Sequence, residues 1–304
     1  MAEASIPVDL FNPGQIFACL GFLEAAEVLL GEAEGGFEWQ RPGSARFRIR
    51  TAGEKCPFTA SLEFVKSARR YSLSPEKEVL ERDGEETRFR EGVHPSKLRE
   101  DGKPRNALLP IELEGVVGQG TDKERQAYCL CFDYWTDFDS RRPFLRLWTA
   151  TNNNSAAKRF GKLHDSFLAA MAEYDPKQPD PLNLSAPVAA NFRLEPRRNW
   201  VSINAGYSPD KQQKSGMPIE ITTYPVVELF AALALTHARP RPTKSGDSVW
   251  RYAVWQAWLP PELARIAIAQ ALPTADARNF VVHLEAPNDG GDLSMTYASE
   301  EIRR

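Results

Sequence analysis

Three arginines occur at alternate positions between apolar residues, and this spacing could hold a row of phosphates. They are Arg46, Arg48 and Arg50. In a strand, side chains on one face repeat at about 6.6–6.8 Å, which is close to the separation of successive phosphates. Arginine binds phosphate, or the edge of guanine, through two parallel hydrogen bonds. The pattern therefore indicates a phosphate-binding strand face, although a solvated sheet face balanced by nearby acidic residues would have the same pattern.

A second basic stretch surrounds three consecutive asparagines. Asparagine side chains at a loop tip can pair with base edges, and a following helix N-terminus with its basic residues can hold phosphate. The candidate contacts in this stretch are Arg141, Arg142, Asn152, Asn153, Asn154, Lys158, Arg159 and Lys162. The alternative is a polar loop that ends in a helix N-cap at Ser155.

Further basic residues fall in predicted loops of the second half of the chain. Those proposed as nucleic-acid contacts are Arg197, Arg198, Lys211, Lys214 and Lys244. The aromatic run 250–258 offers another kind of contact, because bases stack on exposed aromatic rings. Ordinary surface charge is the alternative for the basic residues, and a core strand is the alternative for the aromatic run.

The distribution of charge, rather than its total, favours a polyanionic ligand. The net charge is only −3, but the first 40 residues carry seven acidic and no basic side chains. Residues 41–70 carry eight basic and two acidic side chains. Patches of one sign steer a polyanion even when the net charge does not.

The sequence contains no recognisable catalytic or metal-binding pattern. Its four histidines are scattered, and its four cysteines form no CxxC pair, so we expect no metal site and buried thiols in a reducing compartment. The glycine-rich run 115–120 lacks the lysine of a phosphate loop. The aspartates at 133, 137 and 139 have no partner histidine. The sequence thus predicts a cytoplasmic protein that is not an enzyme and that has no cofactor.

The elements that must position these residues begin with an apolar N-terminal segment. A turn at 12–14 ends a predicted strand over 6–10 and starts a helix that ends near Gly31. That helix is apolar on nearly every side, which is typical of a buried helix. We expect neither a membrane span nor a signal peptide, because the helix is short and no basic flank precedes it. Its small residues form a stripe that would let another backbone approach closely: Ala18, Gly21 and Ala25.

The rest of the chain mixes helices and strands without a regular βαβ rhythm. Strands are predicted over 36–39, 45–51, 107–113, 126–136, 144–151, 249–258 and 280–286, and helices over 57–71, 156–174, 223–235 and 261–272. This mixture favours an α+β fold with mixed or antiparallel sheets and a few packed helices, not a doubly wound parallel sheet. The charged stretch 75–106 is predicted to be a mobile or partner-ordered loop.

Four prolines between residues 175 and 187 mark the best candidate boundary in the chain. They would separate an N-terminal α+β half, 1–175, from a C-terminal α+β half, 176–304. One continuous domain is the alternative.

Two stretches of core residues resemble one known family. The first runs from Ile6 to Glu24 and includes Asn12-Pro13-Gly14, and the second runs from Tyr224 to Pro240. Both are similar to a family found in type I-U (also called I-G) CRISPR loci, a large-subunit-like component of the Cascade surveillance complex. The stretches consist of core residues and contain no catalytic motif.

The resemblance implies a non-catalytic subunit of an RNA-guided complex. Such a subunit binds the crRNA 5′ end or the target double-stranded DNA, reads the protospacer-adjacent motif and helps to recruit the helicase-nuclease. The implied partners are crRNA, target DNA, the other Cascade subunits and the helicase-nuclease, with no membrane. Typical large subunits are longer and finish with a helical bundle, whereas the C-terminus here is strand-like and acidic. The alternative is a protein–protein adaptor in the same complex, with little direct nucleic-acid contact.

Overall fold

The computed structural model describes fifteen ranges of the chain. They are residues 1–39, 44–74, 80–82, 85–89, 111–117, 126–132, 156–177, 180–187, 194–197, 222–238, 241–242, 249–270, 272, 276–285 and 294–301.

Helices and strands are interspersed along the described chain. The helices are α1 (Pro13–Leu30), α2 (Pro57–Ser67), α3 (Ala156–Ala170), α4 (Pro225–His237) and α5 (Pro261–Ile268). The strands are β1 (Ala2–Pro7), β2 (Glu34–Glu38), β3 (Arg46–Thr51), β4 (Arg69–Ser74), β5 (Leu80–Arg82), β6 (Glu85–Phe89), β7 (Ile111–Val117), β8 (Gln126–Phe132), β9 (Ala186–Pro187), β10 (Thr222–Thr223), β11 (Arg241–Pro242), β12 (Val249–Val254), β13 (Arg278–Glu285), β14 (Ser294–Met295) and β15 (Ser299–Glu301).

The strands form small sheets that are antiparallel except at one pairing. The first sheet has the order β1-β3-β2, and the second has the order β5-β6-β4-β7-β8, in which β4 and β6 run parallel. The third has the order β11-β12-β13-β14, with β15 also paired to β13, and β9 pairs with β10. The predicted α+β class is confirmed, and the described ranges contain no doubly wound parallel sheet.

Helix α1 lies at the centre of the core and packs most extensively on α4. A Cβ atom on Gly21 would lie 1.9 Å from the backbone oxygen of Phe230, so the two helix backbones touch at this glycine. The Phe22 and Phe230 rings stack at the same contact, with centroids 3.8 Å apart. The predicted close approach along the small-residue stripe is therefore confirmed at Gly21. One hydrophobic cluster includes residues from both sides of the predicted boundary at 175, and the division into halves stays a prediction.

The sequence suggested that α1 is too short to span a membrane. By length and composition, however, α1 would be able to cross one. Of its most apolar window, 83% is buried inside the protein. This burial accounts for the apolar character of the helix on every side, because its neighbours in the fold surround it.

In three predicted segments, tertiary pairing overrides local propensity, and the observed structure differs from the prediction. Helix α2 stops at Ser67, since Ala68 is extended and the next residues pair with β7 as strand β4. Strand β12 ends at Val254, because the following segment turns to bond β2. Within 75–106, predicted to be a loop, Leu80–Arg82 and Glu85–Phe89 form strands. The predicted strand over 144–151 lies outside the described residues.

A buried histidine joins α3 to α2 in this core. The His164 ring lies between Phe160 and Phe167, and its Nε2 atom is 2.9 Å from the backbone oxygen of Val65. Because the carbonyl can only accept, the ring donates through Nε2. Burial lowers the pKa of His164, and it lowers the pKa of His237 in α4 as well.

We expect the free energy of unfolding to fall as the pH drops below about 6.5, the ordinary pKa of histidine. A lowered pKa in the folded state means that the unfolded chain binds more protons in this range, so acid favours unfolding. Urea unfolding at about pH 5.5 and about pH 7.5 measures the difference. His164→Phe keeps an aromatic ring but removes one titrating group, so it should shrink the difference. If the free energy of unfolding differs between the two pH values as much in His164→Phe as in the unaltered protein, this account is wrong.

Candidate nucleic-acid interface

Strand β3 presents its arginines on one face, as the alternation predicted. The strand is central in its sheet, and the side chains of Phe47 and Ile49 are fully buried on the core side. The three arginines, Arg46, Arg48 and Arg50, point to the opposite face. The structure then separates them by their contacts.

Two of these arginines are held within the protein by Trp258. The guanidinium carbon atoms of Arg48 and Arg50 lie 4.3 Å and 4.7 Å from the centroid of the Trp258 ring. Arg50 also forms an ion pair with Glu34 on β2. Arg48 donates through Nη2 to the backbone oxygen of Gln256 at 2.9 Å. These contacts hold both guanidiniums against the protein, and Glu34 balances the charge of Arg50.

The aromatic run 250–258 is therefore divided between the core and this contact. Trp250 and Tyr252 are buried on β12, and Trp255 is buried just after it. Trp258 stacks with arginine and lies beyond the end of the strand. The interpretation of this run as a core strand is confirmed for Trp250 and Tyr252, and a stacking platform that these two rings share with Trp258 is wrong.

Arg46 is the arginine of β3 that faces solvent. Its Nε atom donates to the Ser5 hydroxyl at 2.9 Å, and its Nη2 atom donates to the Ser5 carbonyl at 2.8 Å. Glu38 lies opposite Arg46 on β2, and the Arg46 guanidinium keeps further N–H donors for a ligand beyond its two bonds to Ser5.

Arg46 lines a cleft that also contains a second predicted arginine. The cleft has a volume of about 360 Å³. Its polar side chains are Asp9, Gln15, Ser44, Arg46, Asn183 and Arg197. These residues come from the end of β1, the first turn of α1, the start of β3 and two later segments. The fold thus brings together two arginines that are far apart in sequence.

Arg197 is fixed in the wall of the cleft. Its guanidinium stacks on Tyr224, 3.4 Å from the ring centroid, and its Nε atom donates to Glu195 at 2.8 Å. Its other nitrogens donate to the Asn183 side chain at 2.6 Å and to the Leu182 carbonyl at 2.8 Å. Burial of Arg197 disfavours its charged form. The hydrogen bond to Glu195 and the negative charge of Glu195 outweigh this effect of burial, and together they hold the pKa of Arg197 above its ordinary value.

The N-terminal turn and α4 together position this wall. Asn12 donates through Nδ2 to the buried carboxylate of Glu195 at 2.9 Å. The buried carboxylate of Glu228 accepts hydrogen bonds from the backbone nitrogens of Leu194 and Glu195, both at 3.2 Å. A Cβ on Gly14 would lie only 2.5 Å from the Leu194 oxygen, so glycine allows the close approach. The two stretches that carry the family resemblance meet at this wall.

Two aromatic side chains lie partly exposed near the cleft. Tyr297 is 42% exposed and Phe11 is 41% exposed, and the backbone nitrogen of Ala298 donates to the Phe11 oxygen at 2.8 Å. Burial raises the pKa of Tyr297, the carboxylates of Glu195 and Asp9 raise it further, and the charge of Arg197 lowers it. The bond between Ala298 and Phe11 places Tyr297 near the turn that carries Asp9.

The remaining predicted contacts lie elsewhere or outside the described residues. Lys162 is exposed on α3 and does not line the cleft, and Lys158 and Arg159 belong to the start of the same helix. The predicted contacts outside the described residues are Arg141, Arg142, Asn152, Asn153, Asn154, Arg198, Lys211, Lys214 and Lys244.

Sequence reasoning missed the polar residues that complete the cleft. Asp9 and Gln15 belong to a segment that reads as purely structural, and Asn183 lies in the proline-rich stretch interpreted as a boundary. One local signal was present in the sequence, because an aspartate often accepts a hydrogen bond from the backbone nitrogen two residues later, as in an Asx turn. The Asp9 carboxylate accepts from the Phe11 nitrogen in this way, at 3.0 Å.

Among the described residues, no group of three or more His, Cys, Asp or Glu side chains is placed to hold a metal ion. Of the thiols expected to be buried, Cys19 is buried but Cys129 is exposed. Comparisons with protein-family models, with curated proteins and with solved structures found no match to this chain.

Proposed function

We propose that this protein is a non-catalytic, nucleic-acid-binding subunit of a cytoplasmic type I CRISPR surveillance complex. In this role it binds the crRNA 5′ end or the target double-stranded DNA, contributes to reading the protospacer-adjacent motif and helps to recruit the helicase-nuclease. The cleft that joins Arg46 and Arg197 is the observation that supports the proposal most directly. The resemblance of the two core stretches supplies the class of complex.

The two arginines have different tasks in this proposal. Arg46 contacts a phosphate, because its side chain is exposed and its guanidinium keeps N–H donors beyond its two bonds to Ser5. Arg197 is a fixed element of the wall, since Glu195 already balances its charge. A wall that is ordered before binding reduces the conformational entropy that the complex loses on association.

Arg48 and Arg50 have a supporting task. Their stacking on Trp258 links β3 to the segment after β12. That segment also bonds β2, where the Gly35 nitrogen donates to the Leu259 oxygen at 2.8 Å. The interaction places β3, and with it Arg46, at a fixed position beside the cleft.

Replacing Arg46 by alanine should weaken target binding by the assembled complex and reduce its dependence on salt. Loss of one phosphate contact lowers the slope of log K against log salt concentration by about 0.9 on duplex DNA. A gel-shift series over salt concentration measures the slope. Arg251→Ala is the control, and it should leave the slope unchanged because Arg251 pairs with Glu301 and does not line the cleft. An unchanged slope in Arg46→Ala would show that this residue is not a phosphate contact.

Exposed apolar side chains on α1 and α5 favour the second candidate function, an adaptor subunit that contacts protein rather than nucleic acid. The Glu24–Arg265 pair joins these two helices. The exposed apolar residues are Val28 on α1 and Leu263 and Ile266 on α5, and the acidic residues of the same segments are Glu27, Glu32 and Glu262. An adaptor would give wild-type target binding with Arg46→Ala and no crosslinks from the cleft to RNA or DNA.

A further inference from the structure

The cleft beside Arg46 has a shape and a set of groups that suit one nucleotide better than the backbone of a duplex. We infer that it takes a single nucleotide from a single strand, with the phosphate on Arg46 and the base edge on Asp9 and Gln15, an inference that rests on the proposed function. The ring of Tyr297 stacks on the base.

The first reason is the form of the site. A duplex presents a convex backbone, which a basic surface can bind without a recess. The cleft is concave, and its volume of about 360 Å³ lies at the small end of the range for ligand pockets. This volume suits one nucleotide that has left the stack of its neighbours.

The second reason is a carboxylate in the wall. Asp9 would repel a row of phosphates, so a groove built only for a nucleic-acid backbone would not place it beside Arg46. Its Oδ1 atom accepts from the Phe11 nitrogen at 3.0 Å. The other carboxylate oxygen of Asp9 has no donor among the described residues, and it can accept from an amino or hydroxyl group of a nucleotide.

The third reason is a donor placed next to that acceptor. The Gln15 side-chain oxygen accepts from the Asp9 nitrogen at 2.8 Å, which fixes the orientation of the amide. The amide nitrogen of Gln15 therefore remains a donor, and it has no acceptor among the described residues. An adjacent donor and acceptor match the edge of a base, which presents the complementary pair.

The fourth reason is the aromatic rim. Tyr297 precedes Ala298, whose backbone nitrogen donates to the oxygen of Phe11 in the turn after Asp9, and it keeps 42% of its surface exposed. Exposed rings beside basic grooves are stacking partners for unpaired bases, and stacking does not depend on base identity. The site therefore combines a phosphate contact, a base-edge pair and a stacking surface.

The test uses the full chain and fluorescein-labelled oligonucleotides at low salt, where ionic contacts are strongest. Fluorescence anisotropy compares a ten-nucleotide single strand, as RNA and as DNA, with the duplex of the same sequence. We expect tighter binding of the single strand and competition by free adenosine monophosphate. Tyr297→Leu should weaken single-strand binding by about fivefold or more and leave its salt slope unchanged. Asp9→Ala tests the base-edge pair with the same readout.

Tyr128→Leu is the control variant, because Tyr128 lies on β8, whose residues do not line the cleft. Preference for the RNA or the DNA strand identifies the source of the nucleotide. Equal binding of strand and duplex, failure of the full chain to bind the strand, or a Tyr297→Leu variant that binds normally would overturn the inference. A complex that still binds target duplex through Arg46 would then leave the proposed function standing, whereas a complex that binds no nucleic acid would overturn both.

Discussion

Replacing Gly21 by alanine should lower the free energy of unfolding by about 3 kcal/mol, at the upper end of the cost of overpacking a core. The added Cβ would lie 1.9 Å from the Phe230 oxygen, and that oxygen belongs to the rigid backbone of α4. Only a separation of the two helices relieves the clash, and it also disrupts the stacked rings of Phe22 and Phe230. The higher helix propensity of alanine, worth about 1 kcal/mol, offsets part of this loss.

Urea unfolding followed by tryptophan fluorescence measures the effect of Gly21→Ala. The matched control is Gly53→Ala, because nothing lies within 4 Å of a Cβ at Gly53. That control should change the free energy of unfolding by no more than about 0.5 kcal/mol. If both variants unfold at the same urea concentration, α1 and α4 do not touch at Gly21.

The positions of the main helices and the face of β3 could be predicted from sequence because they follow from local periodicity. The apolar run after Pro13 predicted α1 almost to its last residue, Leu30. The alternation over β3 predicted which side chains are buried, as Phe47 and Ile49 show. The close approach at Gly21 followed from residue size.

The roles of the arginines could not be predicted in this way, since they depend on contacts between distant segments. Arg48 and Arg50 differ from Arg46 because Trp258, more than 200 positions later, stacks on two of the three. The cleft itself joins Arg46 to Arg197. The sequence positions of Arg46 and Arg197 do not predict that they line the same cleft.

The ends of elements also depended on pairing rather than on propensity. The predicted second helix continued through Tyr71, but Arg70 pairs with Leu113 and Tyr71 with Glu112 on β7. Pairing with β7 satisfies the backbone N–H and C=O groups of these residues as well as another helical turn would.

Replacing Arg265 by leucine should lower the free energy of unfolding by about 3 kcal/mol, because it leaves a carboxylate buried without its partner. The Glu24 side chain is 4% exposed, and Arg265 donates to its two oxygens at 2.6 Å and 2.5 Å. We expect the low end of the range for broken buried pairs, since the Arg265 side chain is 32% exposed and water can reach it. Thermal or urea unfolding gives the value.

A surface pair of the same type provides the control. Arg251 and Glu301 pair at 3.0 Å, but their side chains are 34% and 40% exposed. Arg251→Leu should therefore cost no more than about 1 kcal/mol. A loss as large as that of Arg265→Leu would show that burial of the partner does not set the cost.

The double variant Glu24→Leu/Arg265→Leu decides what the buried pair contributes. Removing both charges should recover most of the stability, because no carboxylate then remains buried alone. Stability can return while α5 no longer holds its position against α1. In that case, the segment before α5 loses the backbone bonds between Leu259 and Gly35. Trp258 would then release Arg48 and Arg50, and the position of β3 would change together with nucleic-acid binding. A stable double variant with normal binding would instead show that the Leu259–Gly35 bonds alone hold this side of the cleft.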